Sequence, residues 1–407
     1  MKTIVIVSTL DTKGAETFYL RGKIRELGKV PIVLDISMRI SEQFAGDIPP
    51  DKVAKAGGKT FEDILTSPER AKNTAIMTLG AARLALDLWK DGRLDGIIGI
   101  GGSTGSLMAT DVMRALPFGV PKVMISSTAA LPGMSTRYID IGDITLFHSV
   151  VEISGLSDIL KNVIDRAAYA VCGMADVSSL KAKGKSNGSK TLALTMLGPC
   201  EKCASSVREA LERTGYQVIG FSAAGIGDRA MESMVSQGFF DGVIDLAPGA
   251  VIEHLVGGMR DAGPHRMEAA GDQGIPQVIS TCGVNHITPP KSKYTDELKA
   301  RRKYDLDKFR TWLRASPEEL KLAAHEFAKK LNQSKGPVTV IVPLKGWSSV
   351  DTPGSATYDP QEDSLFTQEL SKLLKPDITV LEVDANMEDR DFAEAVIHSV
   401  LGLFSKG

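Results

Sequence analysis

Three glycines and two hydroxyls close an apolar run in Leu94-Asp95-Gly96-Ile97-Ile98-Gly99-Ile100-Gly101-Gly102-Ser103-Thr104-Gly105-Ser106. Gly101, Gly102 and Gly105 let the backbone come close to a ligand. The amides of this turn and of the helix that follows would converge on an anion, and Ser103 and Thr104 add hydroxyl donors. The pattern is neither G-x-G-x-x-G nor a Walker A loop, since no Gly-Lys-Ser/Thr follows. It reads as a phosphate or carboxylate cradle, the alternative being a tight βα turn that holds nothing.

Further polar groups stand at comparable places. In Ser8-Thr9-Leu10-Asp11-Thr12-Lys13, Thr9 and Thr12 offer hydroxyls at a helix start, Lys13 a point charge for phosphate, and Asp11 a carboxylate for Mg²⁺ or ribose hydroxyls; the same residues also suit an N-cap beside a solvated lysine. Asp35 ends the next apolar run, roughly 20 residues on, where nucleotide-binding folds often place a ribose-binding acid. Ser126-Ser127-Thr128 brings three hydroxyls to the end of another run. Arg229, in Gly225-Ile226-Gly227-Asp228-Arg229-Ala230-Met231-Glu232, suits a carboxylate or phosphate, or an ion pair with Asp228 or Glu232. Lys345 and Asp351 share the loop Lys345–Gly354 and make a candidate acid/base pair or a surface pair. Cys200-Glu201-Lys202-Cys203 opens a helix, a setting that lowers a thiol pKa. With Cys282 and His286 it has the ligand types of a Cys₃His zinc site, although small residues packed in a turn are the expectation.

The elements that must position these groups alternate. Short β-branched strands (Thr3–Val7, Val30–Asp35, Gly96–Ile100, Lys122–Ser126) are followed by polar turns and amphipathic helices (Ala15–Leu27, Ala75–Lys90, Ser106–Ala115, Ser157–Met174). That alternation implies a parallel sheet covered on both faces, with ligands beyond the carboxyl ends of its strands. A polar, basic segment, Lys181–Lys190, reads as a linker. After it the pattern restarts: Thr191–Gly198 parallels Thr3–Leu10, Phe240-Asp241-Gly242-Val243-Ile244 echoes Leu94-Asp95-Gly96-Ile97-Ile98, Pro248-Gly249-Ala250 corresponds to Gly101–Gly105, and Ile275–Ser280 echoes Val120–Ser126. A charged helical region (Thr295–Lys330), a strand (Val338–Val342) and a last strand–helix pair (Ile378–Val383, Asp389–Phe404) complete the chain. The fold class is therefore α/β: two doubly wound, Rossmann-like parallel-sheet domains related by an internal repeat, spanning 1–180 and 191–407 about a linker at 181–190, with a cleft between them as a place for ligand.

Composition agrees with a globular protein: of 407 residues, 43% are hydrophobic and 24% charged. A net charge of -2 gives no reason to expect nucleic acid or anionic membrane as a partner. No apolar run approaches the roughly 20 residues that span a bilayer, no signal-peptide layout precedes the first strand, and four cysteines in apolar or turn settings suit a reducing cytoplasm.

Taken in order, Ser8–Lys13, Gly99–Gly105, Lys122–Ser127, Gly225–Glu232 and Tyr358-Asp359-Pro360 resemble one family along nearly the whole chain. It contains the ATP-binding domain of a plant tobamovirus-resistance protein, an inhibitor of a viral replication protein, and many bacterial and fungal members. The resemblance implies ATP in the first of two α/β domains, with Mg²⁺, and a homodimer. The nucleotide contacts it implies are Thr9, Asp11, Thr12 and Lys13, Gly101, Gly102, Ser103, Thr104 and Gly105, and Ser126, Ser127 and Thr128. Plant relatives carry a further barrel domain that this chain lacks, so viral inhibition is not expected of it. The expectation is a cytoplasmic ATP-dependent enzyme acting on a small anionic metabolite held by Arg229, with Lys345 or Asp351 moving a proton. The alternatives are a nucleotide-responsive binding protein without turnover, and a sugar-phosphate isomerase or hydrolase that uses no ATP.

Overall fold

The computed structural model describes residues 1–177, 189–308 and 310–405. They fall into two compact units that divide at Lys181/Ala182. The expected linker, Lys181–Lys190, lies outside the described residues except for its last two positions.

The first unit runs β1 (Thr3–Ser8), α1 (Leu10–Glu26), β2 (Val30–Asp35), α2 (Pro50–Ala56), α3 (Phe61–Thr66), α4 (Arg70–Lys90), β3 (Gly96–Gly101), α5 (Ser103–Arg114), β4 (Lys122–Ser126), α6 (Met134–Ile139), β5 (Ile144–His148) and α7 (Asp158–Asp176). Its sheet is wholly parallel, in the order β2-β1-β3-β4-β5. Strand β1 shows why a sheet of this sequence is covered on both faces. Successive side chains point to opposite sides, and the four from Ile4 to Val7 are all apolar. Ile4 and Ile6 pack with Leu20 and Ile24 of α1 and Ile164 and Val171 of α7; Val5 and Val7 pack with Met77 and Ala81 of α4 and Met108 and Val112 of α5. Each such side chain withdrawn from water contributes about 1.5–3 kcal/mol.

The second unit runs β6 (Thr191–Met196), α8 (Glu201–Arg213), β7 (Gln217–Ser222), α9 (Ile226–Ser236), β8 (Gly242–Asp245), α10 (Ala250–Val256), α11 (Ala269–Gln273), β9 (Gln277–Ile279), β10 (His286–Ile287), α12 (Asp296–Ala300), β11 (Lys303–Asp305), β12 (Thr311–Arg314), α13 (Pro317–Leu331), β13 (Val338–Pro343), α14 (Pro360–Leu373), β14 (Thr379–Val383) and α15 (Arg390–Ser405). Its main sheet, β7-β6-β8-β9-β13-β14, is also parallel and repeats the order of the first with one strand more. The internal repeat read from the sequence is therefore a repeat of topology. Neither unit contains a helix long and apolar enough to cross a membrane, among the described residues.

Two expectations change. A first turn from Leu10 precedes the expected start of α1 at Ala15: Asp35 Oδ1 accepts from Leu10 N at 3.2 Å and Ser37 Oγ accepts from Asp11 N at 3.1 Å, which satisfies its first amides, and a kink at Lys13 (φ -129°, ψ 23°) separates that turn from the rest of the helix. The charged stretch from Thr295 to Lys330 is not one helical region: between α12 and α13 lie β11 and β12, which with β10 form a small antiparallel sheet, β10-β12-β11, whose central strand Thr311-Trp312-Leu313-Arg314 is buried.

A buried polar network ties this small sheet to α14. Asn285 Nδ2 donates to Asp351 Oδ2 at 2.7 Å and to Asp363 Oδ1 at 3.1 Å, and Arg314 Nη2 donates to Asp363 Oδ1 at 2.6 Å. Burial pushes the Asp363 carboxyl up to about 7, against the pull of Arg314 and with the push of Asp351, itself raised by burial. Because the folded value lies above that of an unfolded Asp, about 3.9, the folded chain holds more protons between those two pH values. The resulting stability is complete below about pH 4 and is lost as the pH rises through about 7, at about 1.4 kcal/mol per unit. Asp363→Asn imitates the protonated form, so urea midpoints measured across that window should fall with pH more steeply in the parent protein than in the variant.

Candidate functional site

Strands β1 and β3 lie side by side while their neighbours β2 and β4 lie to opposite sides, which makes the carboxyl edge between them the switch point where ligands enter such sheets. A cavity of about 590 Å³ opens there, within the range of small-molecule sites. Thr9, Asp11, Thr12 and Lys13 line it from the turn after β1, and Gly102, Ser103, Thr104 and Gly105 from the turn after β3. Two motifs far apart in sequence thus meet across one space.

The two turns differ in what they leave open. At α1 the first amides are already engaged by Asp35 and Ser37, and Thr9 Oγ1 and Thr12 Oγ1 hydrogen-bond each other at 2.9 Å. At α5 no side chain caps the helix. The first amide bonded within the chain is that of Ser106, to Gly102 O at 2.8 Å, so the amides of Ser103, Thr104 and Gly105 take no partner from the described residues. Helix α5 therefore presents open amides to the cavity.

The glycines sharpen this. A Cβ at Gly101 would lie 3.2 Å from Gly105 Cα, so that glycine is needed for packing. A Cβ at Gly102 would meet nothing nearer than Ser127 Oγ at 3.8 Å, and one at Gly105 would meet nothing within 4 Å. Gly102 also has an ordinary extended φ of -80°. Neither packing nor backbone conformation asks for glycine at these two positions, and a bare backbone there leaves the cavity space open. The corresponding turn of the second unit is the opposite case. A Cβ at Gly249 would lie 2.5 Å from Gly283 O, because the chain itself fills the space beside that turn.

Other expected residues stand behind the cavity or away from it. Asp35 is buried, and its carboxylate is spent on Leu10 N and Ser37 instead of facing the cavity as a ribose contact would. Ser126 is buried and accepts from Ser106 Oγ at 2.7 Å; Thr128 Oγ1 bonds Tyr138 OH at 2.6 Å. With Ser127 they back the glycine turn rather than line it. Lys13 lines the cavity while its Nζ donates to Ile153 O. Asp11 Oδ1 is buried with no hydrogen-bond partner, and burial raises its carboxyl above the usual range.

In the second unit the expected pair does not form. Lys345 Nζ is exposed and sits on Asp384 Oδ2 at 2.9 Å, whereas Asp351 is fully buried on Asn285 and on Trp347 N. The loop folds back between them, so six residues of separation place one side chain outward and the other inward. Arg229 lines a separate hollow with Gly225, Met259 and Asp261; its suggested partners Asp228 and Glu232 are held by Arg266, at 2.8 Å and 3.1 Å. Cys200, Cys203 and Cys282 are core residues. Burial pushes the Cys203 thiol up, overriding the helix end that was expected to activate it, and a hydrogen bond with Cys200, together with burial, pushes the Cys282 thiol up. His286 turns Nδ1 to Asn285 Oδ1 at 2.7 Å, and among the described residues no His, Cys, Asp and Glu side chains are grouped to hold a metal.

Seven lining residues escaped the sequence reading: Met38 and Arg39 after β2, Ile64, Leu65 and Ser67 around the end of α3, and Arg70 and Asn73 at the start of α4. One signal for them was present. Sixty residues separate β2 from β3, while 19 separate β7 from β8, so the first unit carries an insertion at the edge where the cavity lies.

Comparison with known proteins confirms the resemblance read from the motifs. The model of the Uncharacterised protein family (UPF0261) N-terminal domain matches residues 2–179, and that of the family's C-terminal domain matches residues 189–404. A UPF0261 protein of Clostridium tetani (strain Massachusetts / E88) is 33% identical over 407 residues, all of both chains. The ToMV resistance protein Tm-1(GCR237) of Solanum lycopersicum is 34% identical over 352 residues, 85% of this chain but 46% of the tomato protein, so the chain spans about half of that relative's length. A solved UDP-GlcNAc 2-epimerase of Neisseria meningitidis, bound to UDP-GlcNAc, aligns over 99% of this chain and 100% of its own at 9% identity, with a TM-score of 0.25, too weak a likeness to argue from. The chain, matched in both halves and along its whole length, belongs to the UPF0261 family.

Proposed function

We propose that the first unit binds a nucleotide, ATP with Mg²⁺, in the cavity between the β1 and β3 turns, with the phosphates on the open amides of Ser103, Thr104 and Gly105. The observation that carries this is the bare backbone at Gly102 and Gly105: a Cβ there would strike no protein atom, yet it would take space from a ligand seated on the amino end of α5. Mg²⁺ is a hard cation that takes oxygen ligands, commonly one or two carboxylates together with phosphate oxygens. Asp11, whose Oδ1 lacks a partner, with the Thr9 and Thr12 hydroxyls beside it, is a donor set of that kind. When bound, the cation would neutralise phosphate charge; Asp11 and Lys13 would orient the phosphates against α5.

This is a proposal of binding rather than of turnover, because the Lys345–Asp351 pair does not assemble. A second reading, a sugar phosphate, is favoured by one feature: no aromatic side chain lines the cavity to stack a base. Titration calorimetry of the full chain with Mg·ATP and with a panel of sugar phosphates separates the two. Saturable binding of Mg·ATP supports the nucleotide; a sugar phosphate binding where no nucleotide does overturns it.

The glycine argument makes a paired prediction with opposite signs. Gly105→Ala adds a helix-favouring side chain in open space, so it should stabilise the ligand-free protein by up to about 1 kcal/mol, a rise of roughly 2–4 °C in the melting temperature of a unit this size. The same variant should weaken Mg·ATP by about tenfold or more, since each 1.4 kcal/mol of lost contact is tenfold. Gly249→Ala forces a methyl against Gly283 and should destabilise the second unit by about 1–3 kcal/mol, with Mg·ATP affinity unchanged.

A further inference from the structure

The cavity holds a charge imbalance that the glycine turn alone does not explain. Its lining carries three cations, Lys13, Arg39 and Arg70, and one carboxylate, Asp11, in a chain whose net charge is -2. Most arginines of this protein sit in carboxylate pairs, those of Arg21, Arg266, Arg301 and Arg314 among them. The guanidinium of Arg70 has no hydrogen-bond or ion-pair partner among the described residues; that of Arg39 has none in contact there either, and its charge acts on the Asp11 carboxyl. Both arginines are exposed along much of their length, yet both reach one concave space.

Their origin matters as much as their charge. Arg39 and Arg70 flank the insertion between β2 and α4 that carries α2 and α3, which the second unit lacks in the corresponding connection from β7 to α9. Where the insertion is present, the glycine turn faces open space; where it is absent, the turn is filled by Gly283. The insertion and the open cradle thus occur together, and what the insertion brings to the cradle is two unpaired guanidinium groups, the side chain whose planar fork matches phosphate oxygens.

We infer that Arg39 and Arg70 read the number of phosphates on the bound molecule, so that the site takes a di- or triphosphate and discriminates against the monophosphate. One phosphate is held by the amino end of α5; the unpaired arginines supply the charge for the phosphates beyond it. The inference rests on the nucleotide reading for the rest of the ligand but not for its anionic end.

The test is calorimetric titration of the full chain with ATP, ADP, AMP and inorganic pyrophosphate, repeated in Arg39→Gln and Arg70→Gln, which are exposed positions where substitution leaves the fold intact. The expected result is a ladder, ATP tighter than ADP and ADP tighter than AMP, with about tenfold or more between ATP and AMP. In the variants ATP should weaken by about tenfold while AMP changes by less than about threefold, so that the ladder collapses from the top; loss of general structure would weaken all three alike. Equal affinity for ATP and AMP, or equal weakening of both in the variants, overturns the inference while leaving nucleotide binding in place. Pyrophosphate binding that both variants weaken, with no nucleotide bound, overturns the nucleotide reading and leaves the arginine assignment standing. Binding of none of the four overturns both.

Discussion

The amino end of α5 is left uncapped by the chain, and the site is built around that fact. Some helix starts here satisfy their first amides with a side chain, as α3, α7 and α13 do with Thr60, Ser157 and Ser316, and others, such as α2 and α4, do not. Helix α5 instead begins on glycine, with its first amides turned to a cavity. The parallel sheet fixes the place: β1 and β3 are adjacent, the strands beyond them diverge, and the turns after both are delivered to one edge. The packing of α4 and α5 on one face and of α1 and α7 on the other holds that edge rigid.

The two units show how one topology yields an open and a closed version of the same turn. In the first, a Cβ at Gly102 or Gly105 meets space; in the second, one at Gly249 meets the backbone of Gly283. The second unit has spent its carboxyl edge on internal bonding instead. Arg266 is buried among Asp228, Glu232 and Asp245, and Asn285 joins Asp351 to Asp363 beside Arg314. Groups engaged this fully in low-dielectric surroundings rigidify a fold, and Asp351, one of the residues that the sequence offered for proton transfer, is among them.

Much of the scaffold was legible in the sequence because its strands are short, β-branched and followed by small polar turns: Thr3–Val7, Val30–Asp35, Gly96–Ile100 and Lys122–Ser126 fall within a residue of β1 to β4. The repeat was legible from Leu94–Ile98 against Phe240–Ile244. The meeting of Thr9–Lys13 with Gly102–Gly105 followed from the sheet rule. Asp35 was misplaced because an acid at a strand end that bonds the start of the preceding helix looks, in sequence, identical to one that faces a ribose. Lys345 and Asp351 were paired on proximity along the chain, which says nothing about which side of a folded loop each faces. Arg39 and Arg70 were invisible as site residues because they flank a segment of short helices and irregular chain without the periodicity that would have placed it.

The account stands most directly on where a nucleotide touches the chain. Amide hydrogen exchange of the full chain, followed with and without saturating Mg·ATP, reports this residue by residue. Protection concentrated at 102–106 and 9–13, with the turn at 247–251 unchanged, is the predicted result. Exchange at 102–106 that stays the same under saturating Mg·ATP, or protection confined to the second unit, would contradict it.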